Sequence, residues 1–224
     1  MNFIGMKNLI NINILAVVVL FWSCDNNDCL QGGGSSQEIN LELSNFEDIS
    51  VGGAINIELT QGATFETFLV VEPELIPALK FGVENNELYV TTRNGECIRS
   101  SRTMILKVTA PNFDEISVAG QSVISSVGDL DLERLVLSVA GSAESNISGF
   151  ATRQVFQIDG SADINHFGLD SNESEITING SGNLELIAEE VLDITVNGSA
   201  VIKYKGAPQI TQDISGSLDL INAN

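Results

Sequence analysis

The stretch DITVNGSAVIKYKG, Asp193 to Gly206, alternates apolar and polar residues on both sides of a Gly-Ser pair. Taken alone it reads as a hairpin, because Asn-Gly between alternating segments suits a tight turn. The same neighbourhood recurs along the chain, however, around Gly120 (ISVAGQSVI), Gly141 (LSVAGSAES), Gly160 (FQIDGSADI), Gly180 (ITINGSGNL), Gly198 (ITVNGSAVI) and Gly216 (QDISGSLDL). The spacings are 21, 19, 20, 18 and 18 residues.

Each position of the repeat has a physical meaning. Two residues before the Gly stand Val118, Val139, Ile158, Ile178, Val196 and Ile214. Four before it stand Ile116, Leu137, Phe156, Ile176 and Ile194, with Gln212 the exception. Period-two alternation of β-branched and apolar residues predicts strands with one buried face. The second residue after the Gly is small in most copies, as a corner with little interior room requires. The Gly itself is expected to supply a positive φ at that corner.

Short strands repeated every 18 to 21 residues with the corner at a fixed phase predict stacked β-solenoid coils about 4.8 Å apart. A β-sandwich is the competing all-β architecture, but it does not require Gly-Ser at the same phase in every unit. Stacking would align Ser142, Ser161, Ser181, Ser199 and Ser217, with Gln121 at their head, into a column. Two readings of that column stand: a structural ladder in which hydroxyls bond to neighbouring corners, and a ligand-binding ridge.

The segment ISVGGAINIEL at Ile49 to Leu59 matches the repeat around Gly53, so a first coil precedes the array by 67 residues. Between them Phe65 to Val71 reads as a strand and Pro73 to Lys80 as a short helical or turn piece. Phe81 to Thr91 reads as a hairpin turning at Asn85-Asn86, since Asn tolerates left-handed backbone. The expected fold class is all-β. A small, mainly antiparallel part spans 37–115, with a first coil near 49–59, and a right-handed β-helix-like solenoid of about six short coils spans 116–224.

The N-terminus is of another kind. Residues 1–23 hold one charge, Lys7, and the apolar run Ile14 to Trp22, too short to span a bilayer at about 20 residues and of signal-peptide length. The run stops at Ser23-Cys24 and resembles a bacterial lipoprotein signal, in which Cys24 becomes the lipidated residue; an ordinary cleaved signal is the alternative. The acidic residues that follow, Asp25 and Asp28, resemble the signal that exports lipoproteins of Bacteroidota to the cell surface. Residues 24–36, ending in Gly32-Gly33-Gly34-Ser35-Ser36, have the composition of a flexible lipidated tether. With Cys24 lipidated, Cys29 and Cys97 are left able to pair in an oxidising compartment.

Formal net charge is −20, with 30 Asp and Glu against 10 Lys and Arg. Such a field repels nucleic acid, so no nucleic-acid partner is expected. No Cys/His cluster suggests a metal, no phosphate loop or GxSxG elbow appears, and no catalytic set or cofactor is expected. The single His, His166, is expected on an outward-facing strand or loop. Acid-rich fragments such as Asn172 to Glu175 read as solvated faces of coils.

The pattern Phe46-x-x-Ile-x-Val-x-Gly-x-Ile-Asn56, the hairpin segment Glu72 to Val90 and the Gly-Ser coils together resemble the head GIN domain family of auto-transporter adhesins. The Gly-Ile-Asn signature here carries one extra residue, as Gly53-Ala54-Ile55-Asn56. The resemblance implies a two-part β fold ending in β-helix-like coils, and a function known only by the name adhesin, with no binding residues to carry over. The expected protein is a non-enzymatic outer-membrane lipoprotein, exposed on the cell surface or facing the periplasm. Its membrane contact is the lipid anchor and its ligand an extracellular glycan or protein. The alternatives are a carbohydrate-active enzyme on a β-helix scaffold and a periplasmic structural or envelope-stress component.

Overall fold

The computed structural model describes residues 29–93 and 96–224. The expected signal peptide, Cys24, Asp25 and Asp28 lie outside the described residues. The N-terminal part comprises β1 (Leu30–Gln31), β2 (Gln37–Asn40), β3 (Asp48–Gln61), β4 (Glu66–Val71), a 3-10 turn (Pro73–Ala78), β5 (Leu79–Glu84), β6 (Glu87–Thr92), β7 (Ile98–Arg99) and β8 (Met104–Ala110). The rest is β9 (Glu115–Ser126), β10 (Leu130–Val139), β11 (Ser142–Asn146), β12 (Gly149–Ile158), β13 (Ser161–Asn165), β14 (Leu169–Ile178), β15 (Ser181–Ile187), β16 (Val191–Val196), β17 (Ser199–Lys205), β18 (Gln209–Ile214) and β19 (Ser217–Asn222).

The second list is a β-solenoid. Strands before the corner stack in parallel as β9, β10, β12, β14, β16 and β18. Strands after it stack as β9, β11, β13, β15, β17 and β19. The repeat residues two before the corner Gly, Val118, Val139, Ile158, Ile178 and Val196, are buried, as are Ile116, Leu137, Phe156, Ile176 and Ile194. Alternation therefore puts both apolar columns on the inner face of the wall formed by the strands before the corner.

β3 joins the two parts. On one side it pairs in parallel with β9 through both of its halves. On the other, its first half pairs with β6 and its second half with β8. Antiparallel pairings of β4 with β2 and β8, and of β5 with β6, complete the cap. Phe46, Leu75, Leu79 and Phe113 fill its interior, and Asn85 and Asn86 take positive φ at the β5–β6 turn.

Two expectations are corrected here. The Gly/Ser stretch 32–36 is no free tether: the Gly33 and Gly34 amides donate to Glu74 (3.1 Å) and Glu72 (2.6 Å), and β1 pairs with β7. A Cys29–Cys97 disulfide, closing a separation of 68 residues, ties down its start. And His166, expected outside, is fully buried between coils, for a reason given below.

Candidate binding groove

The corner column begins with Gly53 and continues through Gly120, Gly141, Gly160, Gly180, Gly198 and Gly216. Positive φ was the expected reason for glycine, and only Gly53 shows it, at 104°. At the other six a Cβ would fall on the carbonyl oxygen of the corner Gly one coil earlier. Glycine is required there because successive coils approach at the corner more closely than any side chain allows. The next residue's amide takes up that carbonyl, as Ser161 does with Gly141 (2.8 Å), Ser181 with Gly160 (2.9 Å), Ser199 with Gly180 (2.9 Å) and Ser217 with Gly198 (2.9 Å).

The residue after that turns inward into the tightest part of the coil. Ala143, Ala162 and Ala200 are buried there. At Gly182 a Cβ would meet Leu184 Cδ1 at 2.8 Å and Ile178 Cδ1 at 3.0 Å. Ser122 is the polar exception, satisfied by donating to the Ile55 carbonyl (2.7 Å).

With the small residue inside, the Ser side chain must point out. Register places Gln121, Ser142, Ser161, Ser181, Ser199 and Ser217 side by side, all exposed. Among the described residues none of the five hydroxyls has a hydrogen-bond partner, so the ladder does not bond from corner to corner as its structural reading expects. The hydroxyls of Ser142, Ser161, Ser181 and Ser199 instead line a groove of about 870 Å³. Two residues further on, a parallel column of Asn56, Val123, Glu144, Asp163, Asn183 and Val201 forms the rest of its floor.

One wall is the loop Ser100 to Thr103, and a single carboxylate fixes it. Glu72 is fully buried and accepts from the Ser100 hydroxyl (2.6 Å), the Ser101 hydroxyl (2.6 Å) and the Ser101 amide (2.9 Å). Those hydroxyl bonds, with the Gly34 amide, outweigh desolvation and hold its pKa down to about 2. The wall is therefore held by an ionised carboxylate at any pH above that value.

A family model described as "Putative auto-transporter adhesin, head GIN domain" matches residues 45–208, from just ahead of β3 to just ahead of β18. The chain belongs to the head GIN domain family. Solved structures of similar fold include a "putative adhesin" from Bacteroides fragilis NCTC 9343. It is 20% identical with a TM-score of 0.65, over 85% of this chain and 96% of that one. Another, from Parabacteroides merdae ATCC 43184, is 17% identical with a TM-score of 0.51, over 87% of this chain and all of that one. No curated protein has a significantly similar sequence. In this head GIN domain the Asn of the Gly-Ile-Asn signature, Asn56, stands in the groove floor and accepts from the Val123 amide (3.0 Å).

The other flank of the corner treats its polar column differently. The residues just before the Gly bond to one another across coils: Asn179 donates to Asp159 (2.6 Å) and Asn197 donates to Asn179 (2.9 Å). Sequence reasoning missed this ladder and the Ser100–Thr103 wall. The first was visible as Asp-Gly, Asn-Gly, Asn-Gly in successive copies; the second lies outside the repeat and had no signal.

The interior of the head GIN domain holds the one Ser–His pair. Ser145 Oγ lies 2.9 Å from His166 Nε2, and Gln154 Oε1 lies 3.3 Å from His166 Nδ1. The Gln154 amide donates to Ser171, Ser174 and the Ile187 carbonyl, each at 3.0 Å. That leaves its oxygen to accept from Nδ1–H and Nε2 to accept from Ser145. Burial pushes the His166 pKa down to about 3. Every member is satisfied internally and shut off from solvent, so the pair has no way to meet a substrate. Among the described residues no group of three or more His, Cys, Asp and Glu is placed to hold a metal.

Proposed function

We propose that this domain is a non-enzymatic binding module, carried on the cell envelope as a lipoprotein through Cys24, and that its ligand is a linear glycan lying along the groove. The observation that carries the reading is the in-register column of exposed hydroxyls without a protein partner, opening on a groove of ligand size. Hydroxyls, amides and carboxylates repeating at the coil spacing of about 4.8 Å match a polymer whose own hydroxyls recur about once per sugar unit. Glu144 and Asp163 in the floor favour a neutral or amino sugar over an acidic one, since like charges at close range are costly. Family membership supports a binding role outside the cytoplasm, and the buried Ser145–His166 pair gives a serine hydrolase no reachable centre.

Two experiments test this reading. Protease added to intact cells should remove the chain if it is surface-exposed, and protection until lysis would place it facing the periplasm. Affinity electrophoresis in gels of neutral linear polysaccharides should retard the protein. The triple variant Ser161→Ala, Ser181→Ala, Ser199→Ala should migrate as in a gel without polysaccharide. Equal retardation of parent and variant would remove the groove from the account.

A further inference from the structure

The distribution of cations points away from the groove, to the cap corner. Among the described residues Lys107, Arg134, Arg153 and Lys203 are each ion-paired, with Glu38, Asp114, the Glu173/Glu175 pair and Glu185. Five cations form no ion pair there: Lys205 is half-buried on β17 with its ammonium over the Phe167 ring (4.2 Å), whereas Lys80, Arg93, Arg99 and Arg102 are exposed, Lys80 lying over the Tyr89 ring (4.8 Å). These four also lie together. Arg99 is on β7, beside β1; Arg102 Nε donates to the Gly34 carbonyl (2.8 Å); Arg93 Nε donates to the Leu79 carbonyl (2.9 Å), next to Lys80. In Arg93 and Arg102 the Nε bond orients the guanidinium and leaves its terminal nitrogens for an outside partner. Glu74, Glu84 and Glu96 are the exposed acids closest in sequence to this group, whereas over 116–224 as a whole fifteen acids stand against four bases.

The chain enters the fold at this same corner. The Cys29–Cys97 disulfide and the β1–β7 pairing fix residues 29–31 to the loop that carries Arg99 and Arg102. Cys24 is five residues from Cys29, a reach of at most about 17 Å of extended backbone. We infer that the corner bearing Lys80, Arg93, Arg99 and Arg102 seats on the anionic phosphate headgroups of the bilayer in which the chain is anchored, with the solenoid's last coil pointing away. The acidic solenoid is repelled by the same surface, so attraction at one end and repulsion along the rest set a single orientation. The short, disulfide-pinned leader then acts as an orienting restraint, where a long tether would let the molecule tumble. This inference rests on the lipoprotein reading of Cys24.

The test attaches a fluorophore at Ser36→Cys, beside the cap corner, or at Asn222→Cys, on the last coil, with a chain that begins at Cys24 and is coupled there to a maleimide headgroup lipid. Vesicles contain phosphatidylcholine alone or with phosphatidylglycerol, plus a headgroup-quenching lipid. With phosphatidylglycerol the Ser36 probe should be quenched several-fold more than the Asn222 probe. Molar salt, or Arg93→Glu, Arg99→Glu, Arg102→Glu together, should abolish that difference, at about fivefold in surface affinity per cation lost. Equal quenching of the two probes in the parent, or a difference that survives both salt and the triple variant, would overturn the inference. Coupling through Cys24 makes this outcome independent of processing. Mass spectrometry of the native N-terminus checks the lipid separately, and an unlipidated N-terminus would sink the lipoprotein reading alone.

Discussion

The two flanks of the corner column are built by the same coils at the same spacing, and they spend their polar side chains in opposite ways. Before the Gly, Asp159, Asn179 and Asn197 satisfy one another along the stack. After it, Ser142, Ser161, Ser181 and Ser199 face a groove with no protein partner. The amide is long enough to reach the next coil as both donor and acceptor, whereas the Ser hydroxyl, one atom from Cβ, falls short of its neighbour about 4.8 Å away. A short side chain on a stacked corner therefore remains free for a ligand, and a longer one becomes a strut.

Gly180→Val should have the largest effect, because it removes both flanks at once. Its side chain would enter the Gly160 carbonyl in the middle of the stack, where neither adjoining coil can move aside. We expect a loss of about 4 kcal/mol or more and a fall in Tm of about 10 °C or more by calorimetry. An unchanged Tm would refute the close-approach explanation of the corner.

The interior cluster sharpens the comparison by adding polar groups that are satisfied and dry. His166 is neutral in the fold, with its pKa pushed down to about 3, while in the unfolded chain it takes a proton near pH 6.5. Between those values the unfolded state binds more protons, so this contribution is complete above pH 6.5 and is lost as pH falls toward 3. The slope reaches about 1.4 kcal/mol per pH unit. Denaturant titrations at a series of pH values should show that limb in the parent. His166→Leu should be less stable at pH 7.5, and its limb should lack this component. Parallel curves for the two proteins would contradict the buried-neutral assignment.

Asn179→Ala tests the strut flank. It removes both amide bonds of the ladder at an exposed site, so a loss of about 1 kcal/mol is expected, with glycan retardation unaffected. Smallest of all should be the stability change in the Ser161→Ala, Ser181→Ala, Ser199→Ala variant, within about 0.5 kcal/mol, despite its loss of ligand. A marked destabilisation there would mean that the hydroxyls are struts after all.

The solenoid was legible in the sequence because one residue type is forced at one phase in every coil, and the apolar columns of Val118 through Val196 repeat with it. The reason for the glycines was not legible, since positive φ and close backbone approach leave the same letter. His166 was misread because its burial depends on Ser145 and Gln154, which break the apolar columns where neighbouring coils carry Ile164 and Leu135. Each break looks like an exposed position until the partners meet across coils. The Gly32–Ser36 stretch reads as a tether by composition, and only the distant Glu72 and Cys97 fix it. The groove's floor was half visible, as the Ser column, and its wall depends on a buried carboxylate that composition cannot distinguish from a surface one.

The most direct test of the groove is a backbone-amide chemical-shift titration of residues 24–224 with neutral linear oligosaccharides of glucose, xylose, mannose and N-acetylglucosamine. The account predicts perturbations confined to the starts of β11, β13, β15 and β17 and to Ser100–Thr103, with Asp159, Asn179 and Asn197 unmoved. Perturbation of that opposite flank, or no perturbation by any member of the set, would contradict it.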